Sequence, residues 1–461
     1  MLAIAVLLVA ALLLVAGVHY YLWRRLVRDT TAPGSRGRLV GTVAVPVLAV
    51  IAVAALVAGR TLPIAVARVF AWPGYLWLAV VLYLLLGLLV GELIRPVWLR
   101  VLRRRGEPAG RPAAHDARLT VGSPSPAVTL AGAGTPGAAG PTETTAPVNG
   151  EGPAADPAAT GPSSAVAPAD TTSPGAAAPP DGPGPRETSR RLFVARGVAL
   201  VAGATAVGTV GYGMHTALGP PRLKRVTVPL GKLDPRAHGF RIAVVSDIHL
   251  GPISGRAHTQ RIVDTINRTE PDLVAIVGDL VDGSVEQLGS AAEPLAGLRS
   301  RHGSFFVTGN HEYFSGAEEW VAQVRTLGVH PLENERVEIA GFDLAGVNDV
   351  AGEDEGQGPD FDRALGDRDP SRASVLLAHQ PVQVHEAVRH GVDLQLSGHT
   401  HGGQMWPVNL VADLANPTLA GLERHGNTQL YVTRGAGFWG PPVRVGAPPD
   451  ITVVTLASPD A

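Results

Sequence analysis

Five times in its C-terminal half the chain repeats one pattern, in which a short apolar run stops abruptly and residues of metal-ligand type follow, usually introduced by a glycine. The first is Val244-Val245-Ser246-Asp247-Ile248-His249. The others are Ala275-Ile276-Val277-Gly278-Asp279, Phe306-Val307-Thr308-Gly309-Asn310-His311, Leu376-Leu377-Ala378-His379 and Leu396-Ser397-Gly398-His399-Thr400-His401. Apolar runs of this length bounded by turn residues predict buried strands. Open α/β sheets place their ligand groups just beyond the carboxyl ends of such strands. Five strand ends can therefore deliver Asp247, His249, Asp279, Asn310, His379, His399 and His401 into one crevice.

The residue types fit a cation site. Asp247 and His249 alternate around Ile248, so on an extended segment both side chains project to one side, and His399 and His401 repeat this around Thr400. Asp279 can bridge two ions because a carboxylate has two oxygens with several lone pairs. Asn310 adds a neutral carbonyl oxygen. The chain has no cysteine, so thiolate sites and disulfides are excluded, and a mixed imidazole and carboxylate set suits Zn, Mn or Fe. Two such ions about 3.5–4 Å apart would clamp a phosphoryl group and activate a bridging hydroxide for in-line attack. His311 is placed to contact the phosphate and protonate the leaving oxygen.

The first half of the chain is of another kind. With 46% hydrophobic and only 17% charged residues among 461, the composition predicts membrane spans. Residues 2–18, 39–57 and 75–94 are apolar runs long enough to cross a bilayer. Arg24, Arg25, Arg28, Arg36 and Arg38 lie between the first two, and Arg95, Arg100, Arg103, Arg104 and Arg105 follow the third; only Arg60 and Arg68 separate the second from the third. This asymmetry places the arginine-rich segments in the cytoplasm. The sequence thus divides into a three-span membrane region (1–105), a Pro/Ala/Gly/Thr-rich stretch expected to be a disordered tether (106–186), a fourth apolar segment (187–220) and a globular domain (221–461). Arg190-Arg191 ahead of the fourth segment reads either as an internal twin-arginine export signal or as the basic flank of a fourth span. Both readings put the globular domain outside the cytoplasm, although Arg222, Lys224 and Arg225 then lie on the outer side. A net charge of -2 gives no footprint for nucleic acid.

In the globular domain, residues 258–267, 315–327 and 381–390 carry helical patterns, the second opened by a Ser315/Glu318 capping box and the third closed by Gly391. Residues 429–433 and 451–456 read as further strands. Alternating strands and helices require an α/β sandwich. His258, His302, His330, His385, His390 and His425 lack a strand-end context and are read as ordinary core or surface residues, and Trp406, Phe438 and Trp439 as aromatics that pack in the core or, as the second reading, line a substrate cleft.

Taken as a set, Asp247-Ile248-His249, Gly278-Asp279-Leu280-Val281-Asp282, Gly309-Asn310-His311-Glu312, His379 and Gly398-His399-Thr400-His401 resemble the full signature of the calcineurin-like metallophosphoesterases, in order, from about residue 241 onward. The resemblance implies a four-layer αββα sandwich. It also implies two divalent ions, one held by Asp247, His249, Asp279 and His401, the other by Asp279, Asn310, His379 and His399. His311 would be the acid and Asp282 its support, although a turn-capping Asp282 is an equal reading. Glu312 would begin a turn or take a catalytic part, and Arg444 would reach a phosphate or remain solvated. Gly402-Gly403-Gln404 and residues 434–444 look like the membrane-tethered bacterial branch, some of whose members cleave lipid-linked phosphodiesters or pyrophosphates; the three-span region with its tether departs from that branch. The expectation is a multi-pass, membrane-anchored metal-dependent phosphoesterase acting on a phosphodiester or phosphomonoester, with its catalytic domain extracytoplasmic. A lipid-linked pyrophosphate hydrolase is the alternative. A metal-free scaffold is a third reading, and the complete ligand set argues against it.

Overall fold

The structure, a computed structural model, describes residues 2–104 and 185–461. Four long helices come first: α1 (Leu2–Leu22), α2 (Arg36–Thr61), α3 (Ile64–Arg104) and α4 (Pro185–Leu218). All four are long and apolar enough to cross a membrane. The expected tether lies outside the described residues except for its last two positions, which belong to α4. At 41 residues, α3 is about 60 Å long, roughly twice a hydrocarbon core; its first turns, which hold Arg68, run beside the globular domain. Glycines let the helices approach closely. A Cβ at Gly91 would fall 2.3 Å from Val198 of α4, and one at Gly74 would fall 2.5 Å from Ala55 of α2, the small-residue contact expected between helices in lipid. At the arginine-rich ends, Arg25 pairs with Glu92 at 2.8 Å and Arg196 donates to the Thr30 carbonyl at 3.0 Å.

The globular domain consists of β1 (Arg222–Pro229), β2 (Arg241–Val245), α5 (Arg256–Asn267), β3 (Leu273–Val277), α6 (Val285–Ala292), β4 (Ser304–Val307), α7 (Asn310–Ser315), α8 (Ala317–Thr326) and β5 (Val329–Pro331). These are followed by β6 (Glu335–Ile339), β7 (Phe342–Gly346), α9 (Phe361–Leu365), β8 (Ala373–Leu377), α10 (Val384–Arg389), β9 (Leu394–Ser397), α11 (Val408–Ala415), β10 (Gly421–His425), β11 (Thr428–Val432) and β12 (Asp450–Ala457). One sheet has the order β1-β12-β2-β3-β4-β5 and the other β10-β11-β9-β8-β7-β6. Within them β2 through β5 run parallel, as do β7, β8, β9 and β11. Strands buried on both faces read as continuous apolar runs, which is why the sequence pattern found them.

The two sheets close on a core that includes Val244, Val277, Phe342, Val375, Leu396 and Val454. The outer face of the first sheet is covered by α5, α6 and α8 through Ile262, Leu288 and Trp320, and that of the second by α9 and α10 through Phe361 and Ala387. This is the expected αββα sandwich. One local expectation fails: Ser315 does not cap α8. Gly316, with φ 96°, separates α7 from α8 without a side-chain cap. A one-sided cap forms instead at α7, where the Glu312 carboxylate accepts from the Gly309 N–H at 2.6 Å.

Candidate metal centre

Every donor lies within four residues of a strand end: Asp247 and His249 after β2, Asp279 after β3, Asn310 after β4, His379 after β8, His399 and His401 after β9. Both sheets contribute, so the centre sits across their carboxyl edges. Extended alternation is not what aims the paired ligands. Asp247, His249, Asp279, His399 and His401 all have left-handed backbone, with φ of 53°, 48°, 53°, 72° and 51°. That conformation costs a residue with a side chain on the order of 1–2 kcal/mol, and five such residues at one spot mark stored strain of the sort concentrated at functional sites. Glycines leave room for them. A Cβ at Gly398 would fall 2.4 Å from Asp247 Oδ2, and one at Gly309 would fall 2.3 Å from Asp279 Oδ1. Both are needed for space, not for an unusual turn.

The donors form two groups. Asp247, His249 and His401 offer ligand atoms within 4.8 Å of one another, and so do Asp279, His379 and His399. His401 Nε2 is 3.0 Å from His249 Nε2 and 3.4 Å from Asp247 Oδ1. Asp279 Oδ2 lies between the groups, 3.7 Å from His249 Nε2 and 3.2 Å from His379 Nε2. Asn310 Oδ1 is 3.1 Å from His399 Nδ1. The imidazoles are oriented from behind. His379 Nδ1–H donates to the Val277 carbonyl at 2.8 Å and His249 Nδ1–H to Asp282 at 2.9 Å, which leaves Nε2 of each as a lone-pair donor. The His379 Nε2 is buried without a well-aligned hydrogen bond, its one close polar neighbour being Asp279 Oδ2. A cation shared between this nitrogen and the carboxylate oxygen it faces would replace the proton that now joins them.

Charge tells the same story. Burial disfavours the charged form of His249, but Asp282, Asp279 and Asp247 outweigh it and raise the imidazole to about 9. His379 is likewise raised well above its ordinary value, against burial, chiefly by Asp279. Buried carboxylates therefore hold positive charge at this point. His399 and His401 are lowered, first by burial and then by neighbouring cationic groups.

The flanking candidates fall into place individually. Asp282 holds both His249 and His311, the latter at 2.7 Å from Nδ1. Burial pushes its carboxyl up, but the two imidazoles win and hold it at about 2. Glu312 is fully buried and accepts from the backbone N–H groups of Gly309, Asp279 and Leu280 at 2.6–2.9 Å. It positions two ligand loops and does not face the cleft. Arg444 neither reaches a phosphate position nor sits in solvent. It is fully buried, with Nη1 donating to the His401 carbonyl at 2.7 Å, Nη2 2.9 Å from His401 Nδ1 and Nε donating to the Gly437 carbonyl at 3.0 Å. An isolated arginine between glycines and prolines gave no sign of this long-range clamp.

A cleft of about 680 Å³ opens beside the centre, lined by His249, Asp282 and His311 at its inner end. Its walls include Phe438 and Trp439, and also Leu56, Gly59, Tyr75 and Leu78 of α2 and α3. Trp439 is half exposed, with its ring 5.8 Å from that of His311, so it is a cleft residue and not core. Trp406 is also surface-exposed. Only Phe438 is buried as expected.

An αββα sandwich with a carboxylate-imidazole cluster of this layout is the arrangement that the resemblance to the calcineurin-like metallophosphoesterases implied. Comparison with known proteins agrees: residues 240–403 match the calcineurin-like phosphoesterase family model. A metallophosphoesterase of Aquifex aeolicus is 35% identical over 240 residues, covering 51% of this chain and 91% of that protein. One from Helicobacter pylori is 42% identical over 247 residues, or 53% of this chain and 66% of that protein. A transmembrane protein with metallophosphoesterase domain from Danio rerio is 39% identical over 259 residues, or 53% of this chain and 59% of that protein. The chain belongs to the calcineurin-like metallophosphoesterase family. It spans just under two thirds of the length of the Helicobacter pylori protein.

Cation loading should carry a proton signature. His249, raised to about 9, must lose its proton to bind a cation, so apparent affinity should climb about tenfold per pH unit for each proton displaced and level off above about pH 9. By linkage, the protonated metal-free site contributes stability that is full below the ordinary imidazole value and lost as pH rises through about 9. Calorimetric titration with Mn²⁺ in buffers of differing ionisation heat at pH 7.5 and 9.5 measures this; an affinity independent of pH would exclude His249 as a ligand.

Proposed function

We propose that this protein is a membrane-anchored phosphoester hydrolase with a dinuclear centre. The observation that carries the reading is the convergence of seven candidate donors on Asp279, whose Oδ2 lies within 4 Å of the Nε2 atoms of both His249 and His379. One cation would be held by Asp247, His249, Asp279 and His401, and the other by Asp279, Asn310, His379 and His399. Without thiolate, the set suits Mn, Fe or Zn. When bound, the cations supply Lewis-acid activation of the phosphoryl group and of the attacking water. The chain's own residues do the rest. Asp282 fixes the His311 ring through Nδ1, so Nε2 is the atom offered to the cleft, where it donates to a phosphate oxygen and returns a proton to the leaving group. Asp279 aligns His311 again from the backbone, accepting from its N–H at 2.9 Å. His311→Ala should lower kcat by roughly 10²–10⁴-fold with metal content unchanged, whereas Asp279→Asn should lose both metal and turnover. Elemental analysis beside rate measurements on bis-aryl phosphodiester and aryl monophosphate checks both; full activity with two metals in the Asp279 variant would end this reading.

Within that class, the cleft favours a substrate that carries an apolar chain, such as a lipid-linked phosphodiester or pyrophosphate. The motivating observation is that the ends of α2 and α3 supply one wall, with Leu56 and Leu78 facing the same space as His311. Phosphoesters with and without an acyl chain, compared in mixed micelles, should differ by at least about tenfold in kcat/KM, and Leu56→Trp should erase most of the difference while sparing the short substrate. Equal rates for the pair would leave a soluble phosphoester as the substrate class.

The same helices orient the domain. Arg24, Arg25 and Arg28 follow α1, Arg95 and Arg100 fall late in α3, and Arg190 and Arg191 fall early in α4, while the globular domain joins the opposite end of α4. Arginine-rich ends on the cytoplasmic side support an extracytoplasmic domain, with α4 retained as a fourth span. Protease added to intact cells should digest the domain; protection until the cells are permeabilised would reverse the orientation.

A further inference from the structure

Helix α11, which begins seven residues after His401, has a surface that the centre does not use. Among the described residues it buries none of its side chains. Leu410, Val411 and Leu414 are 60%, 68% and 89% exposed, and Val408 and Trp406 add to the same patch. On a helical projection, Leu410, Val411 and Leu414 share one face, and Asn409 and Ala412 lie on the other. Asn409 packs against the site loop, so closely that a Cβ at Gly403 would fall 2.2 Å from Asn409 Cα. A contiguous apolar patch on a polar-rimmed domain marks an interaction surface.

Its neighbours say what covers it. Met405, just before α11, and Val445 pack into the apolar cluster formed by Leu84, Leu88 and Val210 of the long helices. The Trp406 N–H donates to the Val445 carbonyl at 2.9 Å, and the preceding residue, Arg444, donates its N–H to the Gly213 carbonyl of α4, also at 2.9 Å. Gly213 lies in the last turns of α4, beside the exposed Tyr212, an aromatic of the type that settles at a membrane surface. The patch thus continues the apolar surface of the helices at the level where they leave the bilayer.

We propose that α11 is an interfacial helix, lying in the leaflet on the domain's side with Leu410, Val411 and Leu414 in the boundary between headgroups and acyl chains. A short helix with one strongly apolar face and few charges beside it, at this height, matches the way monotopic segments bind lipid. The inference rests on the membrane-anchored reading and extends it, because it makes the catalytic domain itself a lipid-contacting body seven to fourteen residues from a metal-ligand candidate.

The chain has no cysteine, so single-site labelling is direct. Leu414→Cys, Asp413→Cys and, as a reference in the middle of α4, Val207→Cys would each be labelled with an environment-sensitive fluorophore in the full chain and reconstituted into phosphatidylcholine/phosphatidylglycerol vesicles. Quenching by a lipid spin-labelled near the top of its acyl chain is compared with quenching by iodide. The expected result is a blue-shifted Leu414 probe quenched several-fold more by the lipid label than by iodide, with the reverse order at Asp413. If Val207 is lipid-quenched while Leu414 is open to iodide, α11 lies free in water and the proposal is wrong although the anchoring stands. Protection of Leu414 from both quenchers means that a second copy or another protein covers the helix, which also overturns it. No lipid quenching at Val207 removes the membrane reading and the proposal together.

Discussion

Asp279 is the group on which the rest of the centre depends. It is almost wholly buried, and a carboxylate removed from water persists only where charge or hydrogen bonds replace what water supplied. Here the replacements converge from four directions: His379 and His249 on one oxygen, and the His311 backbone N–H on the other, while Glu312 ties down Asp279's own N–H. Burial would raise its carboxyl, yet His379, His249 and His311 together hold it well below the usual range. The site keeps its negative charge at neutral pH, and that charge is what a divalent cation would meet.

Maintaining this arrangement uses stability gained elsewhere. Five donors with left-handed backbone and a buried Glu312, pushed up to about 7 by burial and by Asp279, are each unfavourable alone. They are carried by two six-stranded sheets whose facing residues form one continuous core, so that displacing any donor loop means disturbing a strand end packed on both sides. The division is the usual one in α/β proteins: the strands are rigid and apolar, and the residues just beyond them are free to be chosen for chemistry.

Much of this was legible in the sequence because it depends on local pattern. Apolar runs ending in Asp, Asn or His located β2, β3, β4, β8 and β9, and the seven donors with them. Long-range features were not legible. The left-handed backbone at Asp247 and His401 arises from loops that must fold back into a crevice, which residue spacing cannot reveal; alternation on a strand was a natural but incorrect account of the same convergence. Arg444 read equally as a phosphate contact or a solvated arginine because its partners, Gly437 and His401, are brought to it only by the packing of residues 434–444 against the site. Trp439 was expected in the core since large aromatics usually are. The approach of α2 and α3 to the cleft had no local signal at all, because the spans and the catalytic motifs are separated by well over a hundred residues.

Arg444 also has a second attachment. Its side chain grips His401, while its backbone N–H bonds the Gly213 carbonyl in α4, so a single residue couples the far end of the crevice to the last turns of the fourth long helix. A recombinant fragment starting after Leu218 would keep every ligand but lose that acceptor and the apolar ledge beside it. Such a truncated domain is the convenient object for a crystallisation screen, yet its crevice would lack one of its mechanical supports, and the intact polypeptide is the proper reference for the geometry of the site.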